Sequence, residues 1–265
     1  MPDAPGVGIS VEGAVLTIIL DRPDKGNALR QRDCAAVREA VQQVDGAGQV
    51  RAVLIRANGR HFCAGADLVS ANAVDVKPTA GHLSRGLAIG AHGMIAALWD
   101  CPVPTVAAVQ GKAIGLGLHL AVACDFTVGA DQASFAEVFC KRGFSVDSGG
   151  SFLLPRLIGL RRAKQMLLRG TVVDAATAAK WGLIDEVVPA GALHEVTAGL
   201  ATELAAGPTF SLGHTKRLLN NPAATQLNEV LRQEAASVEA TVRSGDFKEG
   251  LRAFSERREP VFGGH

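Results

Sequence analysis

His61-Phe-Cys-Ala-Gly-Ala-Asp-Leu68 and Gly111-Lys-Ala-Ile-Gly-Leu-Gly-Leu-His119 each set small residues and glycines between an apolar strand and a helix. Turns of this composition let bare backbone approach a ligand and leave N–H groups free where a helix begins. The bland reading of the first is a tight turn with Asp67 as a helix N-cap. Two such turns on one chain predict more: a pair of backbone amides converging on one carbonyl oxygen, an oxyanion hole. The usual acid/base pair beside such a hole is missing from both runs.

Around these turns the pattern strand, turn, helix recurs, which predicts an α/β fold with layered or parallel strands. Val7–Asp21 reads as two strands joined at Glu12-Gly13, and Arg30–Val44 has helical apolar spacing. Val50–Ala57 is a β-branched strand feeding the first turn, and Thr105–Val109 a short buried strand feeding the second. Leu83–Asp100, stopped by Cys101-Pro-Val-Pro104, and Ile114–Cys124 read as helices, with a strand at Phe126–Gly129. Beyond about Gly191 only helical patterns remain: Gly191–Ala206, Thr209–Leu219, Ala224–Arg243 and Asp246–Arg258. This change divides the chain into a core over residues 1–190 and a helical region over 191–265.

Composition narrows the functional classes. The chain has 265 residues, 48% hydrophobic and 20% charged, enough for a sizeable core beneath a polar surface. A net charge of +1 gives no electrostatic case for nucleic acid or an anionic membrane as partner. No run is long and apolar enough for a membrane span, and MPDAPGVGIS has neither a basic start nor an apolar signal core. The five cysteines are odd in number and never spaced CxxC, which predicts reduced thiols in a cytoplasmic protein.

Several motif readings fail. Gly111–Gly117 lacks the third glycine of GxGxxG and is followed by no Gly-Lys-Ser/Thr; there is no GxSxG; and the seven histidines form no close HxxxH or HxH pair, so no metal site is expected. Lys141-Arg-Gly-Phe-Ser-Val-Asp147-Ser-Gly-Gly-Ser-Phe-Leu-Leu-Pro155 leaves two readings open. Asp147 or Ser148 caps a helix running through Leu157, or Asp147 is a positioned general base.

At this point the chain resembles the crotonase superfamily, the enoyl-CoA hydratase/isomerase group, over nearly its whole length. The resemblance rests on Pro23-Asp-Lys-Gly-Asn-Ala-Leu29, Phe62–Leu68, Pro104–Gly111 with the Gly-Leu-Gly behind it, and Ala123-Cys-Asp125. Phe135–Gly150, Ala179–Pro189 and Asp246–Phe254 also match. It implies a spiral of ββα units, a C-terminal helical region that trimerises, and a homotrimer or dimer of trimers. It also implies an acyl-CoA substrate with no separate cofactor, its thioester oxygen held by the N–H groups of Ala66 and Leu116. Lys25, Ala28, Ala64, Asp67 and Leu68 would line the coenzyme A channel. Lys248 and Arg257 would reach phosphates or adenine from a neighbouring subunit, or form a solvated helix face.

The resemblance also marks a departure. Members that hydrate enoyl-CoA use two glutamates; the matching positions here are His119 and Phe139. Phe139 would form an apolar wall of the acyl pocket. His119 reads either as a core histidine satisfied by a backbone carbonyl or as a group beside the thioester that donates a hydrogen bond or relays a proton. Glu137, which would share a face with Phe139 if the segment is extended, is a possible substitute, though a poor one without backbone rearrangement. Asp147 matches the aspartate base of the double-bond isomerases, and the surrounding run looks most like the 1,2-epoxyphenylacetyl-CoA isomerase subgroup. The reading is therefore an isomerase with Asp147 as base and His119 beside it. Hydration of an enoyl-CoA and non-catalytic acyl-CoA binding are the alternatives.

Overall fold

The computed structural model describes residues 6–46, 48–67, 82–143, 145–221, 238 and 240–265. Strands β1 (Val7–Glu12), β2 (Val15–Leu20), β3 (Ala52–Ala57), β4 (Thr105–Val109), β6 (Phe126–Ala130) and β9 (Glu186–Val188) form one sheet in the order β1-β2-β3-β4-β6-β9. Only the β1–β2 hairpin is antiparallel in this sheet; every later pairing is parallel. Parallel strands covered on both faces need unbroken apolar runs, and β4, Thr-Val-Ala-Ala-Val, is buried at every position.

Alternation sorts the side chains of these strands. Val53, Ile55, Ala107 and Val109 enter the main core with α1 (Gln31–Gln42), whereas Leu54, Val106, Ala108 and Val128 form a second cluster with Leu193 and Ala201. The latter two lie on α7 (Leu193–Ala206), so the first helix beyond Gly191 packs against the sheet. A smaller sheet, β5 (Lys112–Ile114), β7 (Ser134–Ala136) and β8 (Val172–Asp174), stands beside it. Helix α8 (Thr209–Leu219) is fastened by Lys216, whose Nζ lies 2.8 Å from Asp125 and donates to the Leu98 carbonyl. The carboxylate of Asp125 also accepts the Thr105 N–H and hydroxyl.

Several expected elements take other bounds. The helix expected over Leu83–Asp100 is two, α2 (His82–Ile89) and α3 (Ala91–Trp99), because Gly90 leaves helical geometry at φ −88°, ψ −107°. The helix expected over Ile114–Cys124 begins only at Leu116: Ile114 belongs to β5, Gly115 turns the chain at φ +52°, and α4 spans Leu116–Val122. The cap expected at Asp147 or Ser148 is absent. Helix α5 (Gly150–Arg169) starts after Gly149 with no side-chain cap, runs well past Leu157, and breaks its helical geometry at Gly159. After α6 (Ala175–Trp181) and β9, the tail contains α7, α8 and α9 (Gly245–Glu256). Most of Ala224–Arg243 lies outside the described residues.

All five cysteines are free thiols. Burial pushes Cys34, Cys63 and Cys124 up to about 12 and raises Cys101 as well, while Cys140 is exposed. Only the thiolate reacts with disulfide reagents. Colorimetric thiol titration at pH 8 is therefore expected to count one reactive thiol, at Cys140, in the native protein and five in denaturant.

Candidate active site

The two glycine-bearing turns pack against each other. Cys63 forms a parallel bridge with Ala113: its N–H donates to the Lys112 carbonyl at 3.0 Å and its carbonyl accepts the Ile114 N–H at 2.9 Å. Close approach demands glycine on both sides. A Cβ on Gly65, held at φ +102°, would lie 2.9 Å from the Ile114 oxygen, and one on Gly117 would lie 2.6 Å from the Cys63 Cβ.

Hydrogen bonding then decides which amides are left over. Ala66 pairs with Leu29 in a parallel bridge whose bonds use the Gly65 carbonyl and the Asp67 N–H, so the N–H of Ala66 points away from Leu29. On the other turn the Gly115 N–H donates to the Ala136 carbonyl at 2.9 Å, and Leu116 opens α4, where an N–H has no partner within the helix. Ala66 and Leu116 line the same cavity of about 350 Å³.

That cavity gathers most of the residues singled out in the sequence. Lys25, Ala28, Ala64, Asp67, Phe139 and Asp147 all line it, together with Arg142 and Ser148, which the sequence did not single out as site residues. Leu68 lies outside the described residues. The Lys25–Ala28 segment is held there by Asn27, buried at φ +56°, which donates to the carbonyls of Asn58 and His61. Asp67 receives Arg22 Nη1 at 2.9 Å, and the same nitrogen donates to the Ala28 carbonyl. This ion pair ties the first turn to the Pro23–Leu29 segment.

Asp147 stands differently. Its Oδ1 accepts the Ser148 hydroxyl at 2.7 Å, and no cation bridges it among the described residues. Ser148 is buried and held at φ +49°, an uncommon conformation for a side-chain-bearing residue. The two residues also line a second, larger cavity of about 1370 Å³, walled by Ile95, Trp99, Phe152, Leu153 and Phe210. Asp147 and Ser148 are thus shared by the linings of both cavities.

His119 is placed otherwise than beside that opening. It is fully buried, does not line the cavity, and among the described residues finds no backbone carbonyl of the kind the core reading needs. Its Nε2 lies 2.8 Å from Oε1 of the equally buried Glu137. The chain leaves β7 at Ala136, and Phe139 has helical angles, φ −56°, ψ −49°, so the condition of an extended segment is not met there. Glu137 and Phe139 nevertheless both reach His119, Phe139 by a parallel ring stack at 5.8 Å. In the tail, Lys248 and Arg257 are exposed. Among the described residues no cluster of His, Cys, Asp and Glu could hold a metal ion, and no helix is long and apolar enough to cross a membrane.

The family model for enoyl-CoA hydratase/isomerase matches residues 10–265. The chain belongs to this family. Among curated members, it is 35% identical over 256 residues to the 1,2-epoxyphenylacetyl-CoA isomerase of Escherichia coli, covering 96% of this chain and 97% of that protein. It is 31% identical, with the same coverages, to the trans-2-decenoyl-[acyl-carrier-protein] isomerase of Streptococcus mutans. The crystal structure of an enoyl-CoA hydratase from Polaromonas superposes with a TM-score of 0.89 at 30% identity, covering 97% of this chain and 99% of that one. The crotonase fold implied by the sequence is thus the fold of this family member.

Proposed function

We propose that this family member is an acyl-CoA isomerase that shifts a carbon–carbon double bond, with Asp147 as its single base. The carrying observation is the inventory of carboxylates lining the oxyanion cavity among the described residues. Asp67 is bound to Arg22, and Asp147 has no cationic partner. The thioester oxygen accepts the Ala66 and Leu116 N–H groups, which hold charge where it develops. The Asp147 carboxylate removes a proton from the α-carbon of a 3-enoyl thioester, leaving a dienolate on that oxygen. The resulting carboxylic acid returns the proton to the γ-carbon, so atoms balance and no water enters. Hydration asks for a second group to activate water, and Glu137 lies outside the cavity.

Coenzyme A enters along Lys25, Ala28, Ala64 and Asp67, and the acyl group extends past Asp147 into the larger cavity between α3 and α5. No separate cofactor takes part, and the tail helices assemble a homotrimer or a dimer of trimers. Positional isomers of one chain length test the reaction. Supplied separately as 2-enoyl- and 3-enoyl-CoA, they should converge on the same mixture when followed by chromatography. A 3-hydroxyacyl-CoA product would favour a hydratase, and tight binding without turnover an acyl-CoA-binding protein. Either result overturns the isomerase reading.

A further inference from the structure

Behind the turn at Gly115 lie two buried ionisable side chains that the isomerisation leaves unused. His119 stands one turn along α4 from Leu116, and Glu137 directly follows β7. Their 2.8 Å approach lacks hydrogen-bond alignment, and among the described residues neither imidazole nitrogen nor either carboxylate oxygen has a hydrogen-bond partner. Each group has mainly the other to offset the cost of leaving water.

We propose that His119 and Glu137 form a positioning pair that fixes the direction of the Leu116 amide without touching substrate. This rests on the reading of Leu116 as an oxyanion donor. The backbone gives the reason. Ala136 accepts the Gly115 N–H at 2.9 Å, and the next residue, Glu137, approaches His119 Nε2 to 2.8 Å. The His119 N–H in turn donates to the Gly115 carbonyl at 2.9 Å. Two consecutive residues thus hold Gly115 and His119, which stand on either side of Leu116, one through a backbone hydrogen bond and one through the 2.8 Å side-chain approach.

The imidazole is boxed in on its remaining sides. Phe139 stacks on one ring face and reaches to 3.6 Å from the place a Cβ on Gly115 would occupy. At the start of α5, a Cβ on Gly150 would overlap His119 Nε2 and lie 2.6 Å from Cε1. Because Phe139 also lines the cavity, movement of the imidazole would disturb the wall and the amide together.

The test reads the carbonyl itself. A saturated acyl-CoA carrying ¹³C at the thioester carbon is bound to the full chain, and its C=O stretch is recorded by infrared difference spectroscopy. The wild-type protein should shift this band downward; an unshifted wild-type band would overturn the oxyanion reading on which the pair depends. Glu137→Gln, His119→Gln and the double variant should each lose most of that shift. They should lower kcat by about 10- to 100-fold with KM held within about threefold. The double variant should be no worse than the poorer single one, as for groups acting as a unit. Gly150→Ala, which crowds the imidazole without altering either ionisable group, should also weaken the shift and serves if the polar variants fold poorly. A full carbonyl shift in folded variants overturns the pair, whether or not kcat falls.

Discussion

Asp147→Asn is expected to lower kcat by about 10²- to 10⁴-fold, the usual contribution of a positioned general base. The amide keeps the size of the carboxylate and can still accept the Ser148 hydroxyl, so the local turn survives. It cannot accept a proton from carbon. Because Ala66 and Leu116 are untouched, the affinity for a saturated acyl-CoA should stay within about threefold, measured by calorimetry beside steady-state turnover. A variant that turns over at the wild-type rate would remove Asp147 from the chemistry and leave Asp67, the other carboxylate lining the cavity among the described residues, as the base.

Gly65→Ala should be nearly as damaging, through geometry alone. The new methyl would stand 2.9 Å from the Ile114 carbonyl oxygen on a residue held at φ +102°. Backbone must yield on one turn or the other, and Ala66 is the next residue along. Loss of one well-aimed oxyanion donor costs about 10²- to 10³-fold in kcat, and the backbone strain about 1–3 kcal/mol of stability. Gly13→Ala separates the two effects. It sits at φ +59° in the β1–β2 turn, where a methyl meets nothing within 4 Å, so it should lose stability and keep its turnover. Urea unfolding and steady-state kinetics on both variants decide the matter; equal kinetics would contradict the role given to the first turn.

What the sequence made legible follows from the range of the forces involved. Strand β4 and helix α8 match their expected spans of Thr105–Val109 and Thr209–Leu219 because apolar patterning and flanking prolines act locally. The two glycine-bearing turns were legible because small residues and glycines there have few other uses, whereas Lys25, Ala28, Asp67 and Phe139 were reached only through the family resemblance. Strands β5, β7, β8 and β9 have three residues each, too few to carry a period, and exist through their partners. Asp67 illustrates the same limit: its carboxylate meets Arg22 from a distant segment, a contact that its local sequence does not announce. The meeting of His119 with Glu137 depends on the register that sets Ile114 against Ala136, a long-range fact absent from either local motif.

The most direct test of the single-base account follows isotopes through turnover. The protein is given a 3-enoyl-CoA in deuterated, ¹⁸O-enriched water, and the recovered thioesters are analysed by mass spectrometry and NMR. The account predicts a 2-enoyl product with no ¹⁸O in its acyl chain and with deuterium confined to the α- and γ-carbons, formed by the wild-type protein and not by Asp147→Asn. An acyl chain that has gained ¹⁸O at its β-carbon would show that water is activated in the site and would contradict catalysis by Asp147 alone.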